Sequence, residues 1–228
     1  LKKKSSSSSG GNSTSKPSTG SSTTVDVTGN KTVKVDVSTS GSTATVKDIT
    51  ADDLKKAGAD KDLVIDLSGL EKDLDTVKIT GDTAKAIADS DVENVEINLG
   101  DTTVAIDSKT IAAIAKADAK NIEIGVDTDV KLNAKQDEAV KGLENAEALT
   151  VSIKADGKDV AGTAAVTAPY KWDGKGVILA GTVDAEGKIA NVPVSFKKGE
   201  IKVTAATGAA VVVWTVPAEK AFVLSIDK

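Results

Sequence analysis

Apolar and polar residues alternate along two consecutive stretches of the chain, and the second stretch repeats the pattern of the first. Residues 76–99 read TVKITGDTAKAIADSDVENVEINL, and residues 103–126 read TVAIDSKTIAAIAKADAKNIEIGV. The two stretches align at a constant offset of 27 residues, as seen at Ile79 and Ile106, Ile87 and Ile114, and Ile97 and Ile124. Each stretch predicts a strand, a short helix with its apolar residues three or four positions apart, and a second strand.

Residues 45–67 predict a third unit of the same kind. Thr50 is placed to cap the helix, Asp52 and Asp53 lie in its first turn, and Gly58 ends it. Helices this short are marginal alone in water, so each must pack against the strands beside it. Similar units placed side by side bury a core that one unit alone lacks. The predicted fold class is therefore α+β, with a mixed sheet of three strand–short helix–strand units.

The regions on either side of the repeats are predicted to be mostly strands. Before them, TVDV and KTVKVDV predict a hairpin with its turn at Gly29-Asn30. After Asp129, one more helix is predicted, with Ala139, Val140 and Leu143 facing inward. Strands follow, with hairpin turns predicted at Asp156-Gly157, Glu186-Gly187 and Lys198-Gly199 and a last strand at 221–226. This part predicts an antiparallel β-sandwich-like half with one solvated face.

Composition divides the chain into three regions. Residues 1–24 are almost entirely Ser, Thr, Gly and Lys, a composition that predicts a disordered, solvated tether. The triplets at Asn12 and Asn30 also fit the glycosylation acceptor pattern. Residues 25–128 form the predicted repeat domain, and residues 129–228 form the predicted β-rich domain. The chain begins with Leu and contains no Met, which indicates a processed product or a fragment.

The residue types that are missing narrow the possible functions. The chain has no Cys, Met, His or Arg, so all 29 basic residues are lysines, and its net charge is −5. The usual general base and the usual metal ligands are thus absent, and we predict a protein that is not an enzyme and uses no cofactor. The acidic balance and the lack of Arg argue against nucleic acid as a partner. The longest apolar run, residues 209–216, is far shorter than the ~20 residues that span a membrane.

Carboxylates are the groups best able to support chemistry here. Asp73 with Asp75, or Asp127 with Asp129, are candidate glycosidase pairs or calcium ligands. Neither pair has the spacing of an EF-hand, and solvated turn acids are the simpler interpretation. Ser-Lys adjacency carries no information among so many lysines and hydroxyls. The run Lys2-Lys3-Lys4 is suited to anionic polymer or to solubilising the chain end.

Two of the five aromatic residues form the clearest candidate ligand site. Tyr170 and Trp172 lie two positions apart in APYKWDGKG, so in a strand they share one face and offer a stacking platform for a sugar. In a protein with few aromatics, packing into the core is the competing interpretation. Trp214, within VVVWTV, is predicted to be a core residue.

Several segments resemble a known module of bacterial surface proteins. They are TATVKDITADDLKKA, the repeat at 103–126, ALTVSIKADGKDVAG, VTAPYKW and VDAEGKI. These segments resemble the repeat-containing extracellular module found near S-layer homology domains in Gram-positive surface proteins, over roughly residues 25–226. The resemblance implies an extracellular, non-enzymatic scaffold at the cell wall. No S-layer homology repeat follows within the 228 residues, so wall anchoring by that route is not implied.

The residue composition and the resemblance to the surface-protein module together predict a non-catalytic structural or display module. It serves as a spacer, adhesion or assembly scaffold at the cell surface, with other surface-protein domains or cell-wall polymer as partners. The alternative is a carbohydrate or wall-polymer binding module that uses Tyr170 and Trp172.

Overall fold

β-Structure dominates the fold. The computed structural model describes residues 23–70 and 73–218. Residues 1–22 of the predicted tether (1–24) and the predicted strand 221–226 lie outside the described residues, whereas Thr23 and Thr24 begin the first strand. The strands are β1 (Thr23–Thr28), β2 (Thr32–Ser40), β3 (Thr43–Val46), β4 (Asp62–Asp66), β5 (Thr76–Thr80), β6 (Asn94–Asn98), β7 (Thr103–Asp107), β8 (Asn121–Asp127), β9 (Glu144–Ala155), β10 (Lys158–Asp159), β11 (Thr163–Pro169), β12 (Val177–Val183), β13 (Ile189–Val192), β14 (Val194–Lys197), β15 (Glu200–Ala206) and β16 (Ala210–Val216). The helices are α1 (Ala51–Ala57), α2 (Gly81–Ala88), α3 (Ser108–Lys116) and α4 (Ala134–Val140).

The strands form one large mixed sheet that nearly closes on itself. Its order is β13-β12-β16-β9-β8-β5-β3-β2-β1-β4-β6-β7-β11-β15-β14, with β10 paired to β9. The two ends of this order, β13 and β14, are consecutive in the chain and separated by Pro193. Pro lacks the N–H that a ladder needs, so the chain leaves one end of the sheet there and starts the other.

The three predicted strand–helix–strand units are present and are nested in the sheet. They are β3-α1-β4, β5-α2-β6 and β7-α3-β8. The strands of the first unit flank the β1–β2 hairpin, those of the second lie outside them, and those of the third lie outside again. The first two units run parallel to each other at β3–β5 and β4–β6, and the other pairings are antiparallel. The mixed, sheet-dominated α+β architecture therefore agrees with the prediction.

Apolar residues of the repeated units meet in one core. Ile87 and Ile114 from the helices lie with Ile97 and Ile124 from the strands in a single apolar cluster. The same cluster includes Val151, Val166, Val203 and other residues beyond 129. Strands of the two predicted regions also pair directly, β7 with β11 and β8 with β9.

β16 departs from the predicted pattern of one solvated face. Val211 and Val213 lie in the main core, whereas Val212 and Trp214 lie on the opposite face in a second cluster. Ala139, Val140 and Leu143, in and after α4, pack against that second cluster. The continuous apolar run at 209–216 is thus explained by a strand covered on both sides, and Trp214 is a core residue as predicted.

Side-chain caps define where the short helices begin. Thr50 and Asp53 form a capping box at α1, and Gly58 ends that helix in the left-handed region at φ 59°. Thr80 caps α2, and Asp107, at the same place in the repeat, caps α3. None of the four described helices is both long and apolar enough to cross a membrane.

The two equivalent caps differ in charge, and we expect that difference to be measurable. Bonds from the backbone N–H of Thr110 hold the pKa of Asp107 below its ordinary value of 3.8. Because the folded-state pKa is the lower one, this stabilisation is present above about pH 4 and is lost as pH falls through the folded pKa. Asp107→Thr, which copies Thr80, should change the free energy of unfolding at pH 7 by less than about 1 kcal/mol.

Urea unfolding at pH 7 and at pH 3 checks this prediction. The variant should lose less stability than the parent chain between the two pH values. Thr80→Ser is the matched control because it keeps a neutral cap, and it should leave the pH dependence unchanged. An equal acid loss in the Asp107→Thr variant and the parent chain would contradict the assignment of the titrating cap.

Two buried threonines also recur at the repeat offset. Thr83 and Thr110 are the third residues of α2 and α3 and are almost fully buried. Thr83 Oγ1 accepts from the Ile49 N–H at 2.9 Å, and Thr110 Oγ1 accepts from the Thr163 N–H at 2.9 Å. Each hydroxyl therefore connects its helix to a neighbouring segment of chain.

Strand directions place both ends of the described fold at one rim of the sheet. From β1 through β2, β3, β5, β8 and β9 to β16 there are five antiparallel pairings and one parallel pairing. An odd number of reversals makes β16 antiparallel to β1, so β16 ends at the rim where β1 begins. We name this end the base rim, formed by 41–42, 67–70, 73–75, 99–102, 127–129, 169–176 and 198–199. The opposite end, which carries α1 to α3, is the helix rim.

Candidate functional site

Two adjoining cavities at the base rim form the candidate site, and Thr128 lines both. Thr128 follows directly after β8. The first cavity, of about 400 Å³, opens on the outer face of the sheet where β5, β8 and β9 meet. The second, also at the base rim, has a volume of about 330 Å³.

The first cavity exists because Gly125 has no side chain. Gly125 pairs with Thr76 on one side and with Ser152 on the other. A Cβ at this position would lie 3.2 Å from Ser152 Oγ and 3.3 Å from Thr76 Oγ1. The two hydroxyls thus border a depression in an otherwise continuous outer face.

Three acids border the same depression. Asp75 directly precedes β5, Asp127 is the last residue of β8, and Asp129 follows two residues later. The fold therefore brings one acid of the first predicted pair to both acids of the second, while Asp73 does not line the cavity. Asp75 Oδ1 accepts from the Thr76 hydroxyl at 2.8 Å, and Asp127 Oδ1 accepts from the Asp129 N–H at 2.8 Å.

These local bonds are typical of turn acids, the interpretation favoured from the sequence. Within residues 23–70 and 73–218, no group of three acids is arranged to hold a metal ion. The first cavity can accept hydrogen bonds and attract cations, but it presents no assembled ligand set.

The second cavity combines an apolar floor with an acidic mouth. Leu149, Ala168 and Ile201 form the floor and are buried. Asp101, in the β6–β7 turn, and Glu147, in β9, lie at the mouth. Such a cavity suits a ligand with an aliphatic part and a positive charge.

Tyr170 does not offer an exposed ring. β11 ends at Pro169, so Tyr170 and Trp172 lie in the following loop and not in a strand. Tyr170 is 3% exposed, and its hydroxyl donates to the Asn145 carbonyl at 2.8 Å. Burial, and then the negative charge of Glu147, raise the pKa of Tyr170 to about 12.

Trp172 packs against a different ring, that of Phe196. Its Nε1 donates to the Lys175 carbonyl at 2.9 Å, and its ring meets Phe196 edge-on, with centroids 5.0 Å apart. Packing of both residues against the main core explains their positions. Because Tyr170 is buried, the exposed platform expected for Tyr170 and Trp172 is not formed, and of the two residues only Trp172 is partly exposed.

Sequence reasoning missed Asp101 and Glu147 as site residues. Asp101 lies in the turn between β6 and β7, and Glu147 belongs to a strand about 45 residues further along the chain. The order of strands that places both residues at one rim is not encoded in local periodicity. The turn acids after strands were the available signal, since loops at the end of a sheet commonly carry sites.

Comparison with known proteins gives no relative from which a role could be taken. No family model matches the chain, no curated protein matches it, and no solved structure matches its fold.

Proposed function

We propose that this protein is a non-catalytic structural module that displays one face of its fold at a bacterial cell surface. The observation that supports this most directly is the position of the first and last strands in the described part of the chain. β1 is bonded to β2 and β4, and β16 is bonded to β9 and β12. Both strands leave the sheet at the base rim.

A fold whose described part begins and ends at one rim holds the opposite rim away from an attachment made through either end of that part. This geometry favours display over a role as an in-line spacer, in which the chain enters at one end and leaves at the other. The three repeat units and the β-rich half act here as one body, because their apolar residues share one core. Among the described residues, no buried side-chain nitrogen or oxygen lacks a hydrogen-bond partner, so the interior polar groups hold the fold together.

Selective labelling of cells tests this orientation. The full chain is exported and attached to the wall of a Gram-positive host, with a single cysteine in place of Lys158 at the helix rim or Asp101 at the base rim. A large, membrane-impermeant maleimide should label Lys158→Cys faster on intact cells, while the purified variants should react at similar rates. Equal rates on cells, or faster labelling of Asp101→Cys, would contradict the proposed orientation.

The alternative, a wall-polymer binding module, now depends on Trp172, whose ring is partly exposed. Cosedimentation of the purified chain with isolated Gram-positive cell walls distinguishes the two. The display proposal expects the chain to stay in the supernatant. Sedimentation that Trp172→Ala abolishes would support the alternative, and Phe196→Leu, which changes the neighbouring ring and leaves the indole in place, is the control.

A further inference from the structure

The second base-rim cavity combines an apolar floor with an acidic mouth, and neither display nor packing of the core explains this combination. Its floor consists of the buried residues Leu149, Ala168 and Ile201, and its volume of about 330 Å³ is in the range of small ligand pockets. A floor of this kind favours an apolar group as its occupant.

The negative charge at the mouth of this cavity favours an occupant that also carries a positive charge. Asp101 and Glu147 border this cavity, and Asp75, Asp127 and Asp129 border the cavity beside it. Among the lysines of residues 23–70 and 73–218, none lines either cavity. The six ion pairs found within the described parts of the chain all involve other carboxylates. A lysine side chain matches both features, because its aliphatic stem packs on apolar surface while its ammonium group stays at the carboxylates.

The chain itself carries a suitable segment. Lys2-Lys3-Lys4 is the one run of three lysines in the sequence, and it lies outside the described residues. Residues 5–22 connect it to Thr23, where β1 begins at the same rim as the cavities. A connection of that length spans up to about 60 Å when fully extended, so the base-rim cavities are within its reach.

We propose that the cavity floored by Leu149, Ala168 and Ile201 is a binding site for alkylammonium groups, and that Lys2-Lys3-Lys4 of the same chain occupies it. The contact holds the tether against the base rim at low ionic strength and releases it as salt screens the charges. The site does not depend on the proposed display function.

Paramagnetic relaxation in the full chain tests the intramolecular contact. The chain has no Cys, so Ser9→Cys gives a single attachment point for a spin label. At ~20 mM salt the label should broaden the amide signals of Thr102, Thr128 and Leu149, and at ~1 M salt the broadening should disappear. Combined Lys2→Ala, Lys3→Ala and Lys4→Ala substitutions should abolish the broadening at low salt.

Matched charge reversals locate the site on the chain. The double variant Asp101→Lys with Glu147→Lys should abolish the broadening. The control is Asp91→Lys with Asp159→Lys, which changes two exposed acids at the helix rim and should preserve the broadening. Broadening that survives the lysine substitutions, or that is equal at both rims, overturns the proposal. Broadening seen only between labelled and unlabelled chains in a mixed sample assigns the occupant to a second copy and overturns the same-chain contact.

A direct titration tests the cavity without the tether lysines. In the triple Lys→Ala chain, hexylammonium should shift the amide signals of Leu149, Ala168 and Ile201 in a saturable way. Tetramethylammonium has the charge without the aliphatic chain and should shift them less. Equal, non-saturating responses to both cations would contradict an apolar-floored site.

Discussion

Replacing Ile97 with Ala is expected to lower the free energy of unfolding by about 3–4 kcal/mol. Ile97 lies in the second strand of the second unit and is fully buried in the core that all three units share. Both tryptophans, Trp172 and Trp214, lie in the β-rich half. If one core spans the chain, the substitution at Ile97 should shift the tryptophan fluorescence transition in urea as far as the far-ultraviolet circular dichroism transition.

Glu96→Ala is the matched control for this experiment. Glu96 is the neighbour of Ile97 on β6, and its side chain is exposed on the outer face. Its replacement should change the free energy of unfolding by no more than about 0.5 kcal/mol. A fluorescence transition that stays in place while the circular dichroism transition moves would show that the regions before and after residue 128 unfold separately.

Local features of the fold were predictable because their causes are local. The capping of α1 by Thr50 and the end of that helix at Gly58 each depend on a few neighbouring residues. The offset of 27 residues also located two of the strand–helix–strand units, because equivalent positions in a repeat meet equivalent surroundings.

The sheet order was not predictable in the same way. Each unit places its two strands on either side of the strands that precede it, so the partner of β5 is β3 and the partner of β6 is β4. Those choices depend on packing between segments far apart in sequence. The candidate site has the same limit, since Asp101 and Glu147 line one cavity although their strands are far apart in the sheet order, which requires the sheet to curve back on itself.

The aromatic residues illustrate a second limit. A spacing of two places Tyr170 and Trp172 on one face only if the strand continues through them. The strand ends at Pro169, and the loop then directs the Tyr170 hydroxyl to the Asn145 carbonyl. The interpretation of both as packing residues followed from composition, whereas their position in a loop depends on where the strand ends.

Replacing Gly81 with Ala is expected to destabilise the protein by about 2–3 kcal/mol. Gly81 begins α2, and helix propensity alone predicts a gain from this change. A Cβ at Gly81, however, would lie 1.8 Å from the Ala119 carbonyl oxygen, and the Gly81 N–H donates to the Lys120 carbonyl at 2.9 Å. The segment joining α3 to β8 would have to move away from α2 and lose that bond.

Gly69→Ala separates this contact from a general effect of removing glycine. A Cβ at Gly69 meets nothing within 4 Å, so the control should lose no more than about 0.5 kcal/mol. Chemical denaturation of both variants, with amide hydrogen exchange at 117–121 as a local readout, measures the difference. Faster exchange in that segment for Gly81→Ala alone is the expected result, because the second and third units touch there. Equal stability of the two variants would show that the helix start and the neighbouring loop can separate without cost, and the close nesting of the units would then contribute little to the fold.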